Sequence, residues 1–339
     1  MVTDATGQAR IRVASVDELL AGATDRAPMK TGDSLSGARF ERVRIDGEPY
    51  VVKHLALDDD WLMRATGDLS CVQRLFWTSV HTARIPACID HTLAGIAEER
   101  LPNNRVRVLL LMRDVSPWLV PAGSEPLDDE QHLRFLDHMA QLHAAFWNWR
   151  DDLGLLRFWA AYTIFNGEMP ALEAARGGTD PVPRMVPQGW ARLESTAPRA
   201  ASLVRHLHAD PDPLILGLAE TPQTLIQGDW KLGNMGAHPD GRTILLDWDR
   251  VAEGPAAFEI AWYCAVNCDR MRLSKEDAIA AYRAALERHG VATDGWWDRQ
   301  ISLALLGALC ELGWAKTGGD PAELGWWEDR ALEAQRYLA

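Results

Sequence analysis

Residues 225–249 read LIQGDWKLGNMGAHPDGRTILLDWD. Four side chains in this stretch could do chemistry together. A carboxylate and an amide oxygen at the spacing of Asp247 and Asn234 suit Mg2+, which takes few protein ligands and the rest from phosphate and water. A second carboxylate, Asp229, can orient or deprotonate an attacking hydroxyl. A lysine two residues beyond it, Lys231, can neutralise a phosphoryl group in transfer. Taken singly, each aspartate is an ordinary turn or strand-end residue. The combination is what points to phosphoryl chemistry.

Such a set needs elements to hold it. The runs 224–227 and 243–246 read as two short strands, with Asp240-Gly241 as the turn between them. A hairpin of that kind brings Asp229, Asn234 and Asp247 near one another. Towards the N-terminus, Ser15-Val16-Asp17-Glu18 is a capping-box pattern before a short helix. Residues 38–45 alternate like a strand, Asp46-Gly47 is a turn, and 49–55 read as a second strand. Over 66–80, Leu69, Val72, Leu75, Phe76 and Val80 recur at helical spacing. Two more strands are expected at 86–97 and 105–115, joined through Pro102-Asn103-Asn104. After Pro117 helices dominate. Over 128–149 the spacing predicts a helix with Leu133, Leu136, Ala140, His143 and Trp147 on one face. Asp320-Pro321-Ala322-Glu323 marks another helix start. The chain of 339 residues thus reads as α+β, with a strand-rich part over 1–115 and a larger helical part over 116–339. The polar hairpin is expected inside the larger part.

The motifs resemble a known family. Gly228-Asp229-Trp230-Lys231-Leu232-Gly233-Asn234 is similar to the catalytic loop of the protein-kinase-like fold, H-R-D-x-K-x-x-N. Leu246-Asp247-Trp248-Asp249 is similar to the I-D-W-[DE] that replaces D-F-G in aminoglycoside phosphotransferases and the related choline and sugar kinases. Gly254-Pro255 and Gln141-Leu142-His143-Ala144 fit the same family, and the likeness runs from about residue 30 to the end. It implies a bilobal fold with a small N-terminal lobe and a larger helical C-terminal lobe. It implies ATP and Mg2+ as cofactors. Asp229 would be the catalytic carboxylate, Lys231 would contact the γ-phosphate, and Asn234 and Asp247 would hold the metal. Asp249 receives no assigned role. Lys53, in Tyr50-Val51-Val52-Lys53-His54, stands where such kinases carry the strand lysine that holds the α- and β-phosphates. Gly32 and Gly37 could let backbone amides approach those phosphates. Met112 to Val115 would offer backbone groups to the adenine. The implied activity is ATP-dependent phosphorylation of a hydroxyl on an aminoglycoside, amino sugar or similar small acceptor. The alternative is a nucleotide-binding regulatory protein of weak catalysis.

Two departures stand out. Gln227 replaces the family's usual histidine, and glutamine both donates and accepts hydrogen bonds. The glutamate that should pair with Lys53 is missing, and Asp68 and Gln73 are the candidates at plausible spacing. Near the site Glu259-Ile260-Ala261 stands for Asp-Leu-Ala.

Charge and composition narrow the rest. Residues 1–115 hold 15 basic against 16 acidic side chains, net −1, and the remainder 20 against 32, net −12, which sums to the total of −13. The balance disfavours a nucleic-acid partner and suits a cationic small molecule. Asp269, Glu328 and Asp329 are candidates to meet such a cation. No apolar run approaches the ~18 residues of a membrane span. The first 20 residues lack the pattern of a secretory signal, and Cys71, Cys88, Cys264, Cys268 and Cys310 read as free buried thiols of a cytoplasmic protein. Gly32…Gly37 lacks the Lys-[ST] of a P-loop. No G-x-S-x-G occurs, and His206-Leu207-His208 has no third metal ligand at suitable spacing. The absent A-P-E segment sets a protein kinase aside.

Overall fold

The computed structural model describes residues 11–29, 36–102 and 106–338. The chain divides into two compact units: Met1–Gly123 with Leu232–Asp249, and Ser124–Lys231 with Arg250–Ala339. The first begins with β1 (Arg12–Ala14), α1 (Val16–Leu19), β2 (Thr24–Met29), β3 (Arg39–Ile45), β4 (Glu48–Leu55), α2 (Trp61–Thr66), α3 (Val72–Trp77), β5 (Ile89–Asp90), β6 (Leu93–Arg100) and β7 (Val106–Arg113). The second opens with α4 (Asp129–Ala145), β8 (Leu156–Arg157), α5 (Ala160–Thr163), α6 (Glu168–Ala175), α7 (Pro181–Thr196), α8 (Pro198–Ala209), α9 (Asp212–Ala219) and β9 (Gln223–Ile226). The first unit is completed by β10 (Met235–Ala237) and β11 (Thr243–Leu245). The second closes with β12 (Ala252–Pro255), α10 (Ala257–Asn267), α11 (Lys275–Arg288), α12 (Trp297–Lys316) and α13 (Pro321–Ala334).

In the first unit six strands form a sheet in the order β1-β6-β7-β4-β3-β2. The continuous apolar run of β7 follows from its place inside the sheet, where both neighbours and a core face cover it. Val43, Val52, Ala97, Leu109 and Leu111 pack with Leu19 of α1 on that face. Asp46 and Gly47 both take positive φ, 53° and 82°, as a tight hairpin between β3 and β4 requires. The resulting register sets Lys53 between Phe40 and Leu110. Ser15 and Glu18 form the expected capping box on α1.

Three expectations need correction here. The helix expected over 66–80 shortens to α3, because Gly67 adopts a left-handed cap that ends α2 and Cys71 is left-handed before α3. Leu69 and Val80 are consequently exposed. The strand over 86–97 is broken at Thr92, where φ is +60°, so β5 leaves the main sheet. It joins β11 in a sheet ordered β10-β11-β5.

The hairpin around the chemistry also differs. β11 pairs with β10, Gly236 opposite Ile244, while β9 pairs with β12, Leu225 opposite Glu253. Asp240-Gly241 does make the turn, with the His238 N–H donating to the Arg242 carbonyl at 2.9 Å. The Thr243 N–H donates to the Cys88 carbonyl at 2.8 Å, and the Val120 N–H to the Met235 carbonyl at 2.9 Å. These bonds tie 232–249 to the strand-rich unit. The first segment of that unit runs to Gly123.

The second unit is built on α12. Leu303, Ala304, Leu306, Leu309 and Cys310 are all buried, as expected for a helix covered on every side. Gly189 of α7 lets that helix approach the Trp314 backbone, where a Cβ would lie 2.9 Å from the carbonyl carbon. On α4 the buried face is His132, Phe135, Leu136, Met139, Ala140, Leu142 and His143. Leu133, expected on it, is exposed. Asp320 caps α13 through the Ala322 N–H at 2.9 Å. Among the described residues no helix is long and apolar enough to cross a membrane.

Candidate active site

In the second unit, β9 delivers the chain to Gln227. Its side-chain oxygen accepts from the Asp229 N–H at 2.8 Å, so the glutamine pins the turn that leads into Asp229. Gly228 has φ +91°, and a Cβ there would lie 2.6 Å from both the Cβ and the carbonyl oxygen of Arg250. Only glycine meets both conditions. The Gly228 N–H donates to Glu259 of α10. The other Glu259 oxygen meets His143 Nε2 at 2.6 Å, and His143 Nδ1 meets the Tyr282 hydroxyl at 2.5 Å. The Gln141–Ala144 and Glu259–Ala261 motifs therefore converge on one buried network that holds the turn before Asp229. Glu259→Ala removes the acceptor of two buried donors. It should lower unfolding free energy by about 3 kcal/mol or more, measured by urea denaturation, and a change below ~1 kcal/mol would contradict this account.

Asp229 is 6% exposed. Its Oδ1 accepts from the indole N–H of Trp262 at 3.0 Å, and its Oδ2 lies 3.3 Å from Lys231 Nζ. The Trp230 side chain is fully buried and its carbonyl accepts from Asn267 Nδ2 at 3.1 Å. The backbone on both sides of Asp229 is thus pinned, while Lys231 stays about one-third exposed.

In the first unit, the open end of the β10–β11 hairpin brings Asn234 and Asp247 close. The Leu246 N–H donates to the Asn234 carbonyl at 2.9 Å. Asp247 has φ +57°, a left-handed conformation that aspartate tolerates better than most residues. The turn lets Trp248 bury its ring against Phe76 and Trp77 of α3, at 5.4 and 5.0 Å between centroids.

Lys53 is 3% exposed. Its ammonium pairs with Asp247 and lies 3.9 Å from Asp249 Oδ2. Burial works against the charge, but the carboxylates of Asp247 and Asp249 outweigh it and hold the lysine above its ordinary pKa. Neither candidate on the helix side pairs with it. Asp68 accepts from the Val72 N–H at 3.0 Å and the Ser70 N–H at 3.3 Å, so its short carboxylate is spent on the start of α3. Gln73 is buried and its Nε2 has no hydrogen-bond partner among the described residues. Asp60, a residue sequence reasoning missed, caps α2 and adds a third carboxylate whose charge Lys53 feels.

Gly37 has φ +94°, and a Cβ would clash with the Asp59 carbonyl; the close packing of that strand entry is what requires glycine. Gly32 lies outside the described residues. The Met112 backbone belongs to the β4–β7 and β6–β7 ladders. The Val115 carbonyl accepts from the Trp118 N–H at 2.9 Å, whereas the Val115 N–H, in a buried residue, has no partner among the described residues. Such an amide fits a purine nitrogen acceptor. The oxygen donors of Asn234 and Asp247 fit a metal that takes most of its shell from phosphate and water. No group of three or more His, Cys, Asp or Glu able to hold a metal occurs among the described residues.

Of the three acids expected to meet a cation, Glu328 and Asp329 lie on α13 and Asp269 just after α10. Glu328 accepts from the Ala200 N–H at 3.3 Å at the start of α8. Asp269 is exposed and accepts weakly from Cys268 Sγ at 3.5 Å, and Asp329 is simply exposed. His208 Nε2 meets the Cys310 carbonyl at 2.9 Å, which is a helix-packing contact. Trp262 and Arg250 were invisible to motif reasoning. Their only signal is proximity in sequence to Glu259 and Asp249.

No family model matches the chain, and no curated protein matches it in sequence. Solved structures do match. One is the microcompartment-associated aminopropanol kinase, at 15% identity over 92% of each chain with a TM-score of 0.51. Another is LicA, the choline kinase of Streptococcus pneumoniae, in complex with AMP, at 13% identity over 95% of each chain with a TM-score of 0.50. At such identities the likeness is one of architecture: the protein has the kinase-like α+β fold, with a strand-rich N-terminal part and a helical C-terminal part, that the aminopropanol kinase and LicA structures also carry.

Proposed function

We propose that the protein is an ATP- and Mg2+-dependent kinase that phosphorylates a hydroxyl of a small, cationic acceptor. The observation that carries the reading is Lys53. A lysine so deeply buried is charged only because two carboxylates from the Leu246–Asp249 motif, 194 residues away in sequence, surround it. That arrangement joins the strand lysine and the metal-binding motif, the two parts a phosphoryl-transfer site needs on the nucleotide side.

In this reading Asp229 takes the acceptor's hydroxyl proton on its carboxylate, held by Trp262 on one oxygen. Lys231, about one-third exposed, contacts the γ-phosphoryl oxygens. Lys53 holds the α- and β-phosphates, Asn234 and Asp247 would hold Mg2+, and the Val115 N–H meets the adenine. The bound nucleotide supplies the phosphoryl group and the metal offsets its charge. Little covalent work remains for the chain beyond positioning and charge. Acidity in the C-terminal two thirds supports a cationic acceptor, as do the names of the two like folds, since aminopropanol and choline are both hydroxylated amines.

A second reading is a nucleotide-binding protein without turnover. It draws on the helix side of Lys53, where neither Asp68 nor Gln73 pairs with the ammonium. ADP release from Mg-ATP separates the two, measured against aminoglycosides, amino sugars, plain sugars and amino alcohols. Acceptor-dependent release that disappears in Asp229→Asn supports the kinase. Nucleotide binding with no release for any acceptor favours the second reading.

A further inference from the structure

Behind Asp229 lies a set of buried polar groups that the proposed chemistry leaves unused. Glu311 of α12 and Arg250 form an ion pair at 2.5 Å, and both are buried. A buried ion pair is a poor device for stability, because desolvation offsets most of the attraction. What it touches is therefore informative. The Arg250 guanidinium lies 4.3 Å from the centroid of the Trp262 ring and 5.9 Å from that of Phe258, within range for a cation to hold an indole face. The single donor of that indole is aimed at Asp229 Oδ1, at 3.0 Å.

We infer that Glu311 and Arg250 are positioning residues for Asp229: the carboxylate fixes the guanidinium, the guanidinium fixes the Trp262 ring, and the indole N–H fixes the Asp229 carboxylate. The role rests on the reading of Asp229 as the catalytic carboxylate. It gives the buried pair a purpose that its weak contribution to stability does not.

The arrangement also responds to pH. Burial raises the Glu311 pKa, Arg250 opposes the rise, and the Asp229 charge adds to it, leaving it at about 7. The other titratable groups facing Glu311 are Tyr162 of α5 and Cys310 on its own helix. Burial pushes both of these far up, so they stay neutral. Below pH 7 Glu311 takes a proton and releases its grip on Arg250. Above it the clamp is set. Positioning should therefore strengthen as pH rises through 7.

Two measurements on the full chain test this. The first is the indole N–H spectrum of 15N-labelled protein, in which the Trp262 signal is the one lost in Trp262→Phe. It should move with a midpoint near pH 7, and Glu311→Gln should abolish that movement. The second is ADP release from Mg-ATP with water as acceptor. Glu311→Gln and Trp262→Phe should each lower kcat by about tenfold or more and leave KM for Mg-ATP within about twofold. Glu311→Gln should also lose the rise of kcat near pH 7. An indole signal that does not titrate, or that titrates equally in Glu311→Gln, overturns the inference. So does a kcat that both variants keep. A titrating signal in a wild type that transfers no phosphoryl group, to water or to any acceptor tried, overturns the reading of Asp229 and the positioning role with it.

Discussion

Asp229→Asn should lower phosphoryl transfer by about a thousandfold, within the range for loss of a positioned proton acceptor. The substitution keeps the size and shape of the side chain. Its carbonyl oxygen can still accept from Trp262, and its backbone contacts to Gln227 and Lys231 remain. What disappears is the charge that takes the proton and that pairs with Lys231. Nucleotide affinity should stay within about threefold, because the groups assigned to the α- and β-phosphates and the adenine are not touched and Lys231 keeps its own charge. Single-turnover transfer and calorimetric ATP binding measure the two quantities separately. A variant that transfers at near the wild-type rate would remove Asp229 from the chemistry. One that also loses ATP binding would point to a folding defect instead.

Lys53→Met should produce the largest loss of stability, about 3–5 kcal/mol in urea denaturation, because it removes a buried ammonium from between the part-buried carboxylates of Asp247 and Asp249. It should also weaken ATP binding at least tenfold, a rough figure for loss of a charged phosphate contact. Adding Asp247→Asn should recover part of the stability, since the carboxylate that had faced the ammonium is then neutral. Lys53 is held above its ordinary pKa of 10.5. Its contribution is therefore complete below 10.5 and is lost only as pH rises through the higher folded value. Between pH 6 and 9 the loss in Lys53→Met should accordingly be flat. A loss that changes steeply over that interval would mean the ammonium is not the group responsible.

Much of the site could be read from the sequence because its motifs are local. Gly228 to Asn234 and Leu246 to Asp249 each lie within one turn of chain, and the chemistry of a carboxylate, a lysine and an amide is recognisable without coordinates. Partnerships across the chain were not legible. Asp68 looked available to Lys53 by spacing, yet the nearest donors to its short side chain are the amides that open α3. The pairing of β9 with β12 was hidden because strands of three or four residues have no periodicity to compare. Thr92 and Cys71 broke a strand and a helix through positive φ at residues that do not advertise it, whereas Gly67 could have been taken as a stop signal. Leu133 misled because the apolar face of α4 is completed by His132 and His143, polar rings that bury themselves against tyrosine hydroxyls.

The first unit is assembled from two stretches of chain separated by residues 124–231. This has a consequence for how the protein is made. At a synthesis rate of about 5–20 residues per second, those 108 intervening residues occupy the ribosome for roughly 5–20 s. Throughout that interval β5 has no β11 beside it, Cys88 offers its carbonyl to nothing in the later segment, and Lys53 waits without Asp247. The strands of the six-stranded sheet are all made long before β10 and β11 of the smaller sheet. A nascent chain arrested before residue 243 should thus carry an ordered sheet and a buried lysine site still open to water, and the contacts that finish it are among the most distant in the sequence, the kind that form last.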